Sequence, residues 1–319
     1  MLIHITLLLL GILLLYGGGE LLIKGAVSVA KKAGVSELFT GLVIVGFGTS
    51  FPELMVSVGA ALQGASDIAI GNVVGSNIGN TLLILGLCAA VLPLVVTELS
   101  LRRDATAVLL ATIILMILSV DGMLGIVDGL IMLLLMGIYL VVAYKTESDN
   151  FTGKEQEFVA IKTSDGDQPS ILKPILYTLS GLFLLIIGAR FLLNGALGLS
   201  EMLQISEAVV GLTVVAVGTS LPELTISLLA VIRGNTDVAV GNILGSNIFN
   251  LLGILGISIL CQPIAVNPRI LEFDQWVLLG TAVLLFVFMM TGRKLTRGEG
   301  VILLLGYVSY VVVSYLFIG

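Results

Sequence analysis

The chain has 319 residues, of which 57% are hydrophobic and only 11% charged, with a mean hydropathy of +1.15 and a formal net charge of −6. An ordinary soluble domain is nearer a quarter charged, so this is the composition of a membrane protein. A sequence pI near 4.8 and the lack of any basic patch with interleaved aromatics exclude nucleic-acid binding.

The apolar residues come in runs of about 17 to 25, long enough as helices to cross a hydrocarbon core of roughly 30 Å. No run alternates every second residue, as a membrane-barrel strand would. In chain order the runs predict ten spans, near 3–23, 37–62, 68–93, 104–120, 124–144, 172–192, 207–232, 238–262, 275–291 and 299–318. The opening "MLIHITLLLLGILLLYGGGE" has neither a basic leader nor a small-residue cleavage site and reads as a retained first helix. Residues 145–173 carry ten charged side chains and read as a solvated linker between two five-span halves, 1–144 and 174–319. Alternating the connections puts every Lys and Arg except Arg190 and Arg269 on one side. Cytoplasmic loops collect Lys and Arg, so the expected topology in a plasma or inner membrane has a cytoplasmic linker and both termini outside.

Span 2 contains "TSFPEL" at 49–54, and span 7 returns it as "TSLPEL" at 219–224. Residues 36–80 and 206–250, aligned at a constant offset of 170, agree at roughly half their positions, an internal duplication. Each half holds an odd number of spans, so the second half enters the membrane from the opposite side. The expected fold is therefore an all-α membrane protein of ten transmembrane helices in two inverted five-helix repeats. That architecture is typical of secondary transporters, whose sites lie near the bilayer midplane at discontinuous helices.

Glu53 and Glu223 fall near the middle of spans 2 and 7, where an acid costs several kcal/mol unless it faces a cavity or a partner. No Lys or Arg lies at matching depth, so the expected partner is a cation. Pro52 and Pro222, with Gly48 and Gly218, predict a break in each span that frees carbonyls, and Thr49, Ser50, Thr219 and Ser220 add hydroxyls beside the acids. In spans 3 and 8, "GNVVGSNIGN" (71–80) and "GNILGSNIFN" (241–250) combine GxxxG packing with a polar stripe. In the first of them Asn72, Ser76 and Asn80 share one face, aimed at Glu53. Helices 2, 3, 7 and 8 are thus expected to be broken or packed around a central ion site. Its donors are all oxygen and its formal charge is −2, which suits Ca²⁺ or Na⁺ better than Mg²⁺ or a soft transition metal.

At these residues the chain resembles the cation/Ca²⁺ exchanger superfamily, and within it the prokaryotic Na⁺/Ca²⁺ exchangers. The signatures G-T-S-x-P-E and G-N-x-x-G-S-N-x-x-N each occur twice, in order. The resemblance implies an antiporter exchanging Na⁺ for Ca²⁺ by alternating access, with spans 1 and 6 sliding over the core. It implies a Ca²⁺ site of Glu53, Glu223, Thr49 and Thr219. It implies Na⁺ sites using the Gly46 and Ala216 carbonyls with Thr49, Ser50, Ser76, Thr219, Ser220 and Ser246 and the two glutamates. Asn80 and Asn250 would complete the centre. K⁺-dependent relatives carry Asp where Asn250 stands, so K⁺-independence is implied, as are three Na⁺ per Ca²⁺ and an electrogenic cycle. No cofactor is expected: Ca²⁺ and Na⁺ are cargo, the lipid bilayer is the surroundings, and one chain suffices for transport.

Three other readings stay open at this stage: a Ca²⁺/H⁺ antiporter of the same architecture, a cation channel and an intramembrane hydrolase. A channel usually assembles by symmetry around a pore, unlike a single-chain inverted repeat. A hydrolase needs a base, and neither His nor Lys accompanies Ser50 or Ser220. Outside the repeats, Glu20 and Arg190 are expected to snorkel to the interface, Asp67 and Asp237 to cap helices, and Asp121 and Asp128 to be solvated. Cys88 and Cys261 read as small buried residues, and Trp276 as part of an interfacial belt.

Overall fold

The computed structural model describes residues 2–33, 40–150, 172–202 and 219–318. Their helices are α1 (Leu2–Ala33), α2 (40–49), α3 (Phe51–Leu62), α4 (Ser66–Val91), α5 (100–118), α6 (Ile126–Asn150), α7 (Leu172–Met202), α8 (Leu221–Ile232), α9 (Thr236–Cys261), α10 (Ile270–Met290) and α11 (Arg297–Ile318). Seven are long and apolar enough to cross a membrane, and the bent pair α2 and α3 makes an eighth. Large apolar side chains such as Leu13, Leu134, Phe183 and Leu305 stand more than 60% exposed on them, a surface suited to lipid rather than water. α6 continues to Asn150, into the stretch read as linker; 151–171 lie outside the described residues.

Two helices form the centre. In α4 and α9, 72% and 83% of the most apolar window is buried, against 17–39% in the other five long helices. These are the helices that carry the polar GSN signatures, which fits their polar groups being satisfied inside the protein. Neither is broken, but each turns π-helical midway, over Asn80–Leu85 and Phe249–Ile254. Each π turn spaces the ladder to i→i+5 and re-aims the side chains at its start, a distortion that is rare and concentrated at functional sites. The tight turns feeding α4 and α9 hold Gly64 and Gly234 at φ 74° and 80°, a left-handed conformation that penalises a Cβ.

α1 and α7 run antiparallel along a seam of glycines. A Cβ on Gly25 would sit 2.5 Å from the Thr178 amide nitrogen, and one on Gly181 2.5 Å from that of Leu22. Only glycine lets the two backbones approach so closely, and dispersion over the seam then holds them as a unit. The pair meets the rest of the protein through Gly19 against Leu229, Gly48 against Leu182, and an ion pair between Glu20 and Arg233. The ion pair corrects the expectation of a snorkelling Glu20.

Two short antiparallel bridges tie distant loops. Strand β1 (Leu94–Val95) pairs with β4 (Lys294–Leu295), and β2 (Met123–Leu124) with β3 (Ile264–Ala265). Each bridge joins loops that strict alternation of spans puts on one side. Asp121 and Asp128 accept the amides of Met123 and Gly125 beside β2, so they are structural rather than simply solvated. Asp67 makes no cap at α4 and accepts instead from Asn267 Nδ2 at 3.3 Å. Arg103, counted as a loop cation, is buried: it holds Asp104 with two bonds of 2.6 and 3.1 Å, and Tyr139 adds a third at 2.8 Å. The related cluster Arg269, Asp274 and Tyr310 recurs in the second half.

Candidate ion-binding centre

Span 2 comes apart at Ser50, and α8 starts directly after the corresponding Ser220. Both residues leave helical geometry in the same way, at φ −80°, ψ 9° and φ −88°, ψ 12°, and at Ser50 the helix turns by 49°. Pro52 and Pro222 then occupy the first turn of α3 and α8, where the missing N–H costs nothing. Glu53 and Glu223 share those first turns, so the positive end of each helix dipole faces a carboxylate. Gly218 and Ala216, expected in the break and the Na⁺ sites, lie outside the described residues.

The two halves complete each other's acid. Ser50 Oγ donates to Glu223 Oε1 at 2.9 Å, and Ser220 Oγ donates to Glu53 Oε1 at 3.1 Å. Thr49 lies near Glu223 and Thr219 near Glu53. From α4, Asn72 Nδ2 bonds the Glu53 carbonyl and Ser57 Oγ at 3.2 and 2.9 Å. From α9, Asn242 Nδ2 bonds the Glu223 carbonyl and Ser227 Oγ at 3.3 and 2.8 Å. The carboxylates are thereby fixed from behind, through their own backbones.

What remains unpaired points to the ligand. Glu53 Oε2, Glu223 Oε2, Asn80 Oδ1 and both amide atoms of Asn250 are buried without a hydrogen-bond partner among the described residues. Glu53, Glu223, Asn80 and Asn250 are each at most 1% exposed. An orphaned buried polar atom costs about 1–3 kcal/mol, more when charged, so this many in one centre mark a place built for something else to fill. Neither carboxylate has a Lys, Arg or His partner among the described residues. Four of the five atoms are oxygens, two of them from carboxylates, and the surrounding hydroxyls are more oxygen: a hard, weakly hydrated cation fits this set.

Gly46 and Ser246 were expected near the Na⁺ positions, and the structure joins them. Ser246 Oγ donates to the Gly46 carbonyl at 3.0 Å, and Thr49 Oγ1 reaches the same oxygen at 3.3 Å and Asn242 Oδ1 at 3.2 Å. The contact exists because α2 lies on the glycines of α9: a Cβ on Gly245 would fall 2.0 Å from the Leu42 carbonyl oxygen. Phe47 and Phe249 stack beside it with ring centroids 4.4 Å apart. Ser76 lies with Asn72 and Ser220 on the wall of a cavity of about 220 Å³ whose other walls include Arg269, Tyr310 and Ser314.

Sequence reasoning assigned no role to Ser57, Ser227, Asn77, Asn247 or Thr81. Asn80 Nδ2 donates to Asn247 Oδ1 at 3.1 Å, and Asn247 Nδ2 to Thr81 Oγ1 at 3.0 Å. The recurrence of "GSN" in both halves was the available signal, but only the packing of α4 against α9 reveals the partners.

The sequence profile of the family described as "Sodium/calcium exchanger protein" matches residues 3–145 and 173–316. The chain is 34% identical to the sodium/calcium exchanger MaX1 of Methanosarcina acetivorans, over 98% of this chain and 99% of that protein. It is also 34% identical to the inner membrane protein YrbG of Escherichia coli, over 99% and 98%. Among solved structures, the sodium-calcium exchanger NCX_Mj soaked with 2.5 mM Na⁺ and 0.1 mM Ca²⁺ superposes with a TM-score of 0.83 at 31% identity, covering 97% of both chains. With a full-length profile match and relatives alike from end to end, the chain belongs to the sodium/calcium exchanger protein family.

Proposed function

We propose that this protein is a Na⁺/Ca²⁺ antiporter that works by alternating access through the centre between Glu53 and Glu223. The observation that carries the reading is the reciprocal pair of bonds, Ser50 to Glu223 and Ser220 to Glu53, each leaving the second carboxylate oxygen unpaired among the described residues. One cation bound there would bridge both halves at once, which couples occupancy to their relative position. Ca²⁺ takes the two free carboxylate oxygens with Thr49 and Thr219. Na⁺ takes positions formed by the Gly46 and Ala216 carbonyls, Ser50, Ser76, Ser220 and Ser246, and Asn80 and Asn250 close the centre. A two-charge cation and its Na⁺ replacements compete for the same acids, so antiport follows from exclusion.

The chain is read as ten spans in two inverted halves, with the α1 and α7 pair as the moving element. Its glycine seam makes a close pair, and among the described residues its packing within the pair is far denser than its packing on the core. Helix-end contacts are consistent with the sidedness: Lys24 of α1 and Lys173 of α7 both lie over the Tyr177 ring, at 5.6 and 5.9 Å, and all three belong to the side read as basic and cytoplasmic. Neutral amides at both 80 and 250 favour independence from K⁺. Exchange of three Na⁺ for one Ca²⁺ moves one net charge, worth about 2.3 kcal/mol per 100 mV.

The test is ⁴⁵Ca²⁺ uptake into proteoliposomes loaded with Na⁺, K⁺ or choline, with and without a pH step, and with Glu53→Gln as the blank. Uptake that needs internal Na⁺, ignores the pH step and responds to a K⁺-diffusion potential supports the reading. Uptake that follows the pH step without Na⁺ moves the protein to Ca²⁺/H⁺ exchange.

A further inference from the structure

The amide network between α4 and α9 is unequal in its two halves, and the inequality traces to one residue. At the 170-residue offset, Asn80 corresponds to Asn250, Asn247 to Asn77, and Thr81 to Leu251. On one side the chain of bonds is complete: Asn80 Nδ2 to Asn247 Oδ1, and Asn247 Nδ2 to Thr81 Oγ1. On the other side the equivalent bonds, Asn250 to Asn77 and Asn77 to residue 251, are both missing. Asn77 Nδ2 has turned back to the Val73 carbonyl of its own helix at 2.7 Å, while Asn77 Oδ1 and both Asn250 amide atoms have no partner among the described residues. Leu251 offers no hydroxyl to hold Asn77 across the interface. All four amides are 1% exposed or less.

An amide that has one edge engaged can present only the other. Asn247 engages the nitrogen of Asn80, which leaves Asn80 Oδ1 as the atom turned elsewhere, the orientation a cation requires. Among the described residues Asn250 has no such restraint.

We propose that Asn247 and Asn77 are positioning residues that set the amide edge shown to the transported cation, and that they do so differently: Asn247, braced by Thr81, fixes Asn80 oxygen-inward, whereas Asn77 is a latch that closes on Asn250 when a cation takes Asn250 Oδ1. This rests on the reading that the centre between Glu53 and Glu223 binds the cation. A cation at Asn250 Oδ1 selects the edge, Asn250 Nδ2 then faces Asn77 Oδ1, and the bond that forms is the counterpart of Asn80 to Asn247. Binding thus adds one tie between α4 and α9 that the open side lacks. The leucine at 251 keeps the latch releasable, because a hydroxyl there would hold Asn77 in the closed position with no ion present.

The test measures half-saturating Ca²⁺ and maximal rate for the full chain in proteoliposomes, with the melting temperature in detergent as the check on folding. Asn77→Ala should raise half-saturating Ca²⁺ roughly three- to tenfold, the range for one lost hydrogen bond, with a wild-type melting temperature, since its one bond here is within its own helix. Thr81→Val should raise it by a similar factor, and Thr81→Ser should restore it. Leu251→Thr should act the opposite way, lowering half-saturating Ca²⁺ and slowing the maximal rate as release becomes harder. Wild-type half-saturation in Asn77→Ala and Thr81→Val, with Glu53→Gln inactive, would overturn the positioning role while sparing the site. Full uptake by Glu53→Gln would overturn the site and the latch together.

Discussion

Replacing Gly245 by alanine tests whether the packing of α2 on α9 builds the centre. The added Cβ would lie 2.0 Å from the Leu42 carbonyl oxygen and 2.7 Å from its carbon. Ordinary contact between non-bonded heavy atoms is near 3.5 Å, so the shortfall exceeds an ångström, and both atoms met are backbone that no rotamer change can move. α2 must therefore retreat as a unit. The bonds that depend on its position are Ser246 to the Gly46 carbonyl at 3.0 Å and Thr49 to Asn242 at 3.2 Å, and a retreat of that size breaks both. Overpacking of a close interface costs about 1–3 kcal/mol, and a backbone clash belongs at the upper end. The expected result is a clear fall in melting temperature in detergent and a loss of Na⁺-driven Ca²⁺ uptake of at least about tenfold. Gly59→Ala is the control: its Cβ meets nothing within 4 Å, and alanine is the better helix former, so stability should hold or rise. A Gly245→Ala protein with wild-type melting and uptake would refute the reasoning.

Further outcomes follow from the same contacts. Ser50→Ala and Ser220→Ala should each raise half-saturating Ca²⁺ by about tenfold, the lower end for a hydrogen bond to a charged group because a threonine remains beside each acid; an effect from only one of the two would contradict the reciprocal arrangement. Arg103→Met removes the cation paired with the fully buried Asp104 and should cost about 3–5 kcal/mol, whereas Arg103→Met with Asp104→Leu should recover most of it, as read by thermal unfolding. Glu20 and Arg233 keep side-chain exposures of 26% and 45%, so solvent screens their pair. Glu20→Gln should therefore change turnover by no more than about fivefold, and exchanging the two charges should restore it.

Much of the centre was legible because it is costly. An acid, a proline and two hydroxyls in an apolar run have no cheap structural excuse, and their recurrence 170 residues later showed that the pattern was built twice. For that reason the sequence singled out Ser50, Glu53, Ser220 and Glu223, which the structure joins in two reciprocal bonds. Relations between segments were not legible. The π turns at Asn80–Leu85 and Phe249–Ile254 have no composition signal, because the same residues would sit in an α-helix. Glu20 looked solitary, since its partner Arg233 lies over two hundred residues away. Arg103 looked like a loop cation, because burial of an arginine depends on an adjacent Asp104 and a Tyr139 brought in by another helix. Nothing in the sequence marked Thr81, whose role depends on Asn247 being brought beside it.

The central claim is that one cation joins the unpaired oxygens of Glu53 and Glu223. Anomalous diffraction from crystals soaked in Sr²⁺, with and without excess Na⁺, tests it most directly. The account predicts a single Sr²⁺ peak between the two carboxylates, within ligand distance of both, that Na⁺ displaces and that Glu53→Gln abolishes. A peak elsewhere, or one that survives both Na⁺ and the loss of Glu53, would contradict it.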